Sequence, residues 1–175
     1  MNVSDFRKTL PDYAKDIRLN LSSALSEEGA PGLSAKQIAG SALASAYATR
    51  DAKVTEAVRT DAAKYLSDAE LEAAKAAATI MGMTNIYYRF LHLTSDPEFQ
   101  KMPANLRMDV IARHGIEGID FELMSLAVSV VNGCGFCVDA HVKKALKHGI
   151  TREGVQSVAR IASVVHAAAQ ASFIG

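Results

Sequence analysis

Residues 126–149 read LAVSVVNGCGFCVDAHVKKALKHG, and residues 43–66, which lie 83 positions earlier, read LASAYATRDAKVTEAVRTDAAKYL. Laid over one another, the two stretches share an apolar run, a break and a second helical run, although few residues are identical. With a one-residue gap the match continues, SDAELEAAKAAATIMGM (67–83) over TREGVQSVARIASVVHA (151–167). Run lengths, breaks and the Ser or Thr that opens the last run coincide. The simplest reading is two copies of a helix–break–helix–helix unit, about 34–91 and about 118–173, inside one domain covering 1–175. Nothing in the chain alternates with period two for long enough to make a strand, so the expected fold is all-α.

Composition agrees. The chain has 30 alanines among 175 residues, and Ala has the highest helix propensity. The four prolines, Pro11, Pro31, Pro97 and Pro103, suit helix starts and connections. Pro11 opens a segment to about Leu25, with Tyr13, Ile17, Leu21 and Leu25 on one face. Ser34 and Gln37 form a capping-box pattern for a helix to about Thr49. Another helix spans about Asp51 to Tyr65. Ser67 and Glu70 repeat the capping box before an Ala-rich helix to about Leu91. The stretch 94–103 reads as a polar connection, Asn105 to Arg113 as a short helix and 114–118 as a loop. Three further helices cover about 120–132, 134–148 and 151–172, with Asn132-Gly133 as a break and Gly149 as a C-terminal cap.

Nineteen basic and nineteen acidic residues cancel. That balance argues against a general nucleic-acid binder, which needs clustered positive charge, and it permits self-association. The N-terminus shows no secretory pattern, and no run of 18 apolar residues points to a membrane span. The expectation is a soluble cytoplasmic protein. Two cysteines exclude a disulfide-rich scaffold and a four-cysteine zinc cage.

Both cysteines fall in the second copy, where the first has Asp51 and Val54. With their neighbours they make the pattern E-x11-C-x2-C-x3-H: Glu122, Cys134, Cys137 and His141. A helix starting at Cys134 places Cys134, Cys137 and His141 on one face. Cα atoms three apart on a helix lie roughly 5–5.5 Å from each other, within disulfide reach. The first turn of a helix stabilises a thiolate at Cys134, and His141 can take the Cys137 proton. Glu122 can orient the imidazole or start a proton relay through water. Rival readings are a zinc site built from the same four residues and a purely structural cysteine pair. His92, His114 and His148 lie at loops or helix ends, where His commonly serves as a dipole partner. His166 reads as a core or interface residue. Met81, Met83, Tyr87 and Tyr88 read as core or subunit-contact residues, and Lys143-Lys144 as a solvated face.

This segment resembles the AhpD-type alkylhydroperoxidases of the carboxymuconolactone decarboxylase superfamily. The likeness lies in the four-residue pattern and in DFELMS (120–125) and NGC (132–134). It extends to LPDYAKDIRLNLSS (10–23), IMGMTNIYYRF (80–90) and PANLRMDVIARHGI (103–116), nearly the whole chain. The resemblance implies an AhpD-like helical fold with an internal duplication and a homotrimer with one active site per protomer. It implies an antioxidant thiol–disulfide oxidoreductase that reduces an AhpC-type peroxiredoxin and acts weakly on organic peroxides. No bound cofactor is expected; electrons come from a lipoyl-bearing protein and lipoamide dehydrogenase, or from another dithiol. It also supports Cys137 as the nucleophile that becomes a sulfenic acid, with Cys134 resolving it to a redox disulfide. Helix-dipole reasoning alone favours Cys134 as the lower-pKa thiol. One position departs: Phe136 stands where the family often has a second His, which removes a proton donor or acceptor and offers an apolar entrance instead. Alternatives are a lactone decarboxylase of the same superfamily and a zinc-stabilised helical assembly.

Overall fold

A computed structural model describes residues Met1–Gly175, and it contains helices and no strands. The α-helices are α1 (Val3–Thr9), α2 (Lys15–Ala24), α3 (Ala35–Thr49), α4 (Ala52–Ala62), α5 (Asp68–Leu93), α6 (Glu98–Lys101), α7 (Gly118–Asn132), α8 (Gly135–Lys147) and α9 (Arg152–Ile174). Single 3-10 turns occupy Asp12–Ala14 and Asp109–Ile111.

The capping boxes form as their residue types dictate. The Ser34 hydroxyl accepts from the Gln37 amide, the Ser67 hydroxyl accepts from the Glu70 amide, and Gln37 and Glu70 reach back to the cap amides. The helix starts of the two halves keep the sequence offsets, 35, 52 and 68 against 118, 135 and 152. Helices α3 and α7 each hold 15 residues and end on a left-handed residue, Arg50 (φ 62°) and Gly133 (φ 67°). Asp51 and Cys134 then cap α4 and α8, and Ser67 and Thr151 cap α5 and α9.

The core explains why α3 and α7 lie innermost. Every residue from Ile38 to Ala46 is buried, and so are most from Asp120 to Ser129. A helix buried on nearly all sides has no room for a charged face, which matches the Ala, Ser and Leu content of α3. Gly40 leaves room for the Met124 side chain of α7: a Cβ there would sit 2.6 Å from the Met124 Cε. Helices α5 and α9 each pack on both α3 and α7, and α8 packs on α7, α5 and α9. Helix α9 is long and apolar enough to cross a membrane by length and composition alone. Here its apolar face, including Val158, Ile161, Ala162 and Val165, is buried in the core.

Four local expectations need correction. Residues 3–9, read as no element, form α1, because Asn2 caps the Asp5 amide and Phe6 is buried. The face proposed for 11–25 holds at Ile17, Leu21 and Leu25, which pack on the core together with Ala14 and Ala24, but not at Tyr13, which is 63% exposed. Tyr13 falls in the 3-10 turn that follows Pro11, with about three residues per turn, so it lies out of line with the α-helix that begins at Lys15. The connection 94–103 contains the one-turn α6. The helix expected over 105–113 shrinks to a single 3-10 turn at Asp109–Ile111, and Asn105, at φ 51°, cannot open a helix.

A polar clamp ties three helix N-termini together. Lys36 Nζ lies 2.7 Å from Asp120 Oδ2 and 3.0 Å from Glu70 Oε1. Gln37 Nε2 donates to Asp120 Oδ1 at 3.1 Å. Asp120 first and Glu70 second raise the Lys36 pKa above its ordinary value. Lys36→Met should therefore cost about 1–2 kcal/mol, because the buried Asp120 carboxylate loses its cation. The effect falls short of a fully buried pair because water partly screens Lys36, whose side chain is 39% exposed. Urea unfolding should show a lower midpoint with an unchanged slope.

Candidate redox site

The site forms where α7 ends and α8 begins. Gly133 turns the chain in the left-handed region (φ 67°), which a residue without a Cβ adopts readily. Cys134 then occupies the N-cap of α8, and its sulfur accepts from the Cys137 amide at 3.4 Å. Cys134 and Cys137 are joined as a disulfide, with Cα atoms 5.3 Å apart. Cys134 is fully buried and Cys137 is 5% exposed. The first half makes the same turn with Asp51, whose carboxylate accepts from the Val54 amide at 2.8 Å. A thiolate at Cys134 would thus occupy the place of a carboxylate cap, where unpaired N–H groups favour negative charge.

One turn further along α8, His141 is 8% exposed. Its Nδ1 lies 2.5 Å from Glu122 Oε1 on α7. Lys144 Nζ approaches the other oxygen, Glu122 Oε2, at 3.6 Å. Burial works to raise the Glu122 pKa, but the His141 hydrogen bond and the charges of His141 and Lys144 outweigh it. The carboxyl is held below its ordinary value and stays ionised at neutral pH. Glu122 thereby occupies one imidazole nitrogen and leaves the other free for proton exchange. The structure brings all four pattern residues together: two sulfurs in one turn, and an acid–imidazole pair on the facing helices.

Phe136 projects from the same turn between the cysteines. It is 54% exposed, and its ring stacks on Tyr88 with centroids 5.4 Å apart. The two rings, with Leu91, His92 and Gln100, line a cleft of about 310 Å³ beside the redox turn. No group of three or more His, Cys, Asp or Glu side chains is arranged to hold a metal ion.

The remaining candidates separate. His114 stacks on Phe121 with centroids 4.3 Å apart. His148 caps α8 with Nδ1 2.8 Å from the Lys144 carbonyl oxygen. His166, read as a core or interface residue, is exposed in this chain, so the core assignment is corrected: it falls on the outer edge of α9, out of line with Val158, Ala162 and Val165. Met81 is buried; Tyr87 and Tyr88 are half-buried and touch edge to face at 5.5 Å. Lys143 matches a solvated face, paired only with Asp139. Lys144 does not, and its role was invisible because its partner lies on another helix, 22 residues earlier in the chain. Tyr88, read as a core or subunit-contact residue, could not be placed beside the redox turn for the same reason.

Comparison with known proteins adds a separate line of evidence. The model of the carboxymuconolactone decarboxylase family matches residues 97–174. Alkyl hydroperoxide reductase AhpD of Coxiella burnetii (strain RSA 493 / Nine Mile phase I) is 52% identical over 172 residues, 98% of this chain and 97% of that protein. The protein of the same name in Rhodospirillum centenum is 49% identical over 97% of this chain and 89% of its own length. That of Brucella abortus is 47% identical, covering 97% and 95%.

Proposed function

The chain belongs to the AhpD alkyl hydroperoxide reductases of the carboxymuconolactone decarboxylase family, and from that premise we propose that it is an antioxidant dithiol oxidoreductase acting through Cys134 and Cys137. The observation that carries this reading is the disulfide at the first turn of α8, set against the buried His141–Glu122 pair.

The small difference in burial supports Cys137 as the first to attack, since it keeps 5% of its surface exposed and Cys134 keeps none. Its thiolate attacks the terminal oxygen of an organic hydroperoxide. The O–O bond breaks, the alcohol leaves with a proton relayed through His141, and Cys137 becomes a sulfenic acid. The Cys134 thiolate then attacks the Cys137 sulfur, the S–O bond breaks, and hydroxide leaves as water. In recycling, an incoming thiolate attacks the Cys137 side of the disulfide. Cys134 departs as a thiolate held at the helix N-cap, and a stabilised thiolate is the better leaving group. Glu122 orients His141 and balances its charge during proton transfer. The Tyr88–Phe136 cleft suits the apolar part of a substrate.

The partner in this reading is an oxidised AhpC-type peroxiredoxin. Electrons arrive from a lipoyl-bearing protein and lipoamide dehydrogenase or another dithiol, with no bound cofactor. A cytoplasmic homotrimer with two copies of one helical unit per chain completes the proposal. The test is reduction of the oxidised peroxiredoxin by the purified protein, with and without a dihydrolipoyl donor. Expected is turnover that needs the donor and both cysteines. Full turnover by the Cys134→Ser/Cys137→Ser double variant would favour lactone chemistry. Stoichiometric zinc retained through dialysis would favour a metal-stabilised assembly.

A further inference from the structure

A chain of buried and half-buried polar groups runs from α5 to the redox turn. Asn85 is fully buried in the Ala-rich α5. Its Nδ2 donates to the Ser129 Oγ at 2.9 Å, and its Oδ1 accepts from Asn132 Nδ2 at 3.0 Å. One turn along α5, Arg89 donates to the Asn132 carbonyl oxygen at 2.6 Å. The Ser129 carbonyl oxygen in turn accepts from the Cys134 amide at 3.2 Å. The last turn of α7 and the backbone at Cys134 are therefore held by side chains from a different helix.

The molecule contains its own control. The break after α3 has the same geometry, with Arg50 in the left-handed region and Asp51 as cap. At the corresponding offsets, Ser129 is replaced by Ala46, Asn132 by Thr49, Asn85 by Ala169 and Arg89 by Phe173. Ala46 and Ala169 are both buried, and Thr49 bonds only locally, to the Ala46 carbonyl oxygen at 2.7 Å and to the Asp51 amide at 3.3 Å. Thr55 Oγ1 of α4 also donates to the Ala46 carbonyl oxygen at 3.2 Å, but no side chain of α9, the counterpart of α5, reaches this turn with a hydrogen bond. The network appears only in the half that carries the cysteines, at the expense of burying an amide and a hydroxyl in an otherwise apolar contact.

We infer that Asn85 and Arg89 are positioning residues of the redox centre, pinning the Asn132–Cys134 turn so that the Cys134 sulfur stays within bonding reach of Cys137. The inference rests on the dithiol reading above. Its physical content is entropic. A pinned turn leaves the reduced thiols little freedom to lose on closing the disulfide, so their effective concentration is high. Loosening the turn gives the dithiol more freedom and disfavours closure.

The test is equilibration of the whole protein with glutathione, two reduced glutathiones exchanging for one oxidised glutathione as the protein disulfide becomes a dithiol. Asn85→Ala and Arg89→Met should each lower the equilibrium constant for disulfide formation at least fivefold. Arg89→Lys, which keeps a donor for Asn132, should stay within twofold of the parent. Thr49→Ala, at the corresponding turn of the first half, should leave the constant unchanged even where it lowers the melting temperature. Arg89→Met decides the matter if Asn85→Ala fails to fold. A parent pair that exchanges normally, with both variants matching it, overturns this inference alone. A parent pair that does not exchange overturns the dithiol reading and this inference with it.

Discussion

Cys137→Ser is expected to abolish peroxide-driven turnover, with a loss of about a thousandfold or more, the scale seen when a nucleophile is removed. No other thiol can replace it, since the chain has two cysteines and the second is fully buried at the cap of α8. Cys134→Ser should lose turnover as well, but in a different way. The hydroxyl introduced by that substitution can still cap the Cys137 amide, while the sulfenic acid at Cys137 has no partner to condense with. That variant should therefore accumulate a dimedone-reactive Cys137, detected by mass spectrometry. The reciprocal result, an adduct at Cys134 in Cys137→Ser and none in Cys134→Ser, would reverse the two roles. The helix dipole alone favours that reverse assignment; the exposed edge of Cys137 favours the one proposed here.

The second large effect concerns the acid–imidazole pair. Glu122→Gln and His141→Gln should each reduce turnover about a hundredfold, the lower range for losing a positioned proton-transfer group. The double variant should be little worse than either single one, because the two side chains share one hydrogen bond of 2.5 Å and act as a unit. Binding of the peroxiredoxin should be unaffected in all three. The same pair predicts a pH dependence. The folded Glu122 pKa is depressed, so its contribution to stability is present above the ordinary carboxylate value of about 4.3 and is lost as pH falls through the lower folded value. The His141 imidazole and the Lys144 ammonium, both on α8, are the groups that face it. Urea unfolding between neutral and acid pH should show that Glu122→Gln flattens part of the acid limb. An acid limb identical to the parent would show that Glu122 is not held ionised by these partners.

The candidate site was legible because its chemistry is local. Cys134, Cys137 and His141 lie within eight residues, and a helix of known pitch is enough to bring them to one face. Glu122 could be named because it lies on the preceding helix at a spacing that the resemblance also carries. Lys144, Tyr88, Asn85 and Arg89 were not legible as parts of the site. Each meets it through another helix, and the long-range packing of α5 and α8 on α7 has no period in the sequence. His166 shows the opposite failure: apolar neighbours along the chain suggested burial, while its position on the turn of α9 left it outside.

Element type and order follow from the chain alone: Ala content, two capping boxes and the offset match place seven of the nine helices to within a few residues. Such signals are short-range, since caps and periodicity act within one or two turns. Helices α1 and α6 are too short for propensity to declare them; α1 forms because docking of Phe6 supplies what nucleation lacks, and the single turn α6 is exposed and tied to α5 only through Phe99 on Phe90 and Gln100 on the Leu91 carbonyl oxygen. What tertiary structure decided is the environment of the dithiol. The pairing of His141 with Glu122, the burial that hides Cys134 and leaves an edge of Cys137, and the buried amide of Asn85 behind the turn all arise from helices meeting across the core. Spacing brings the two sulfurs together; the packing of α5, α7 and α8 sets the charge, access and freedom under which they react.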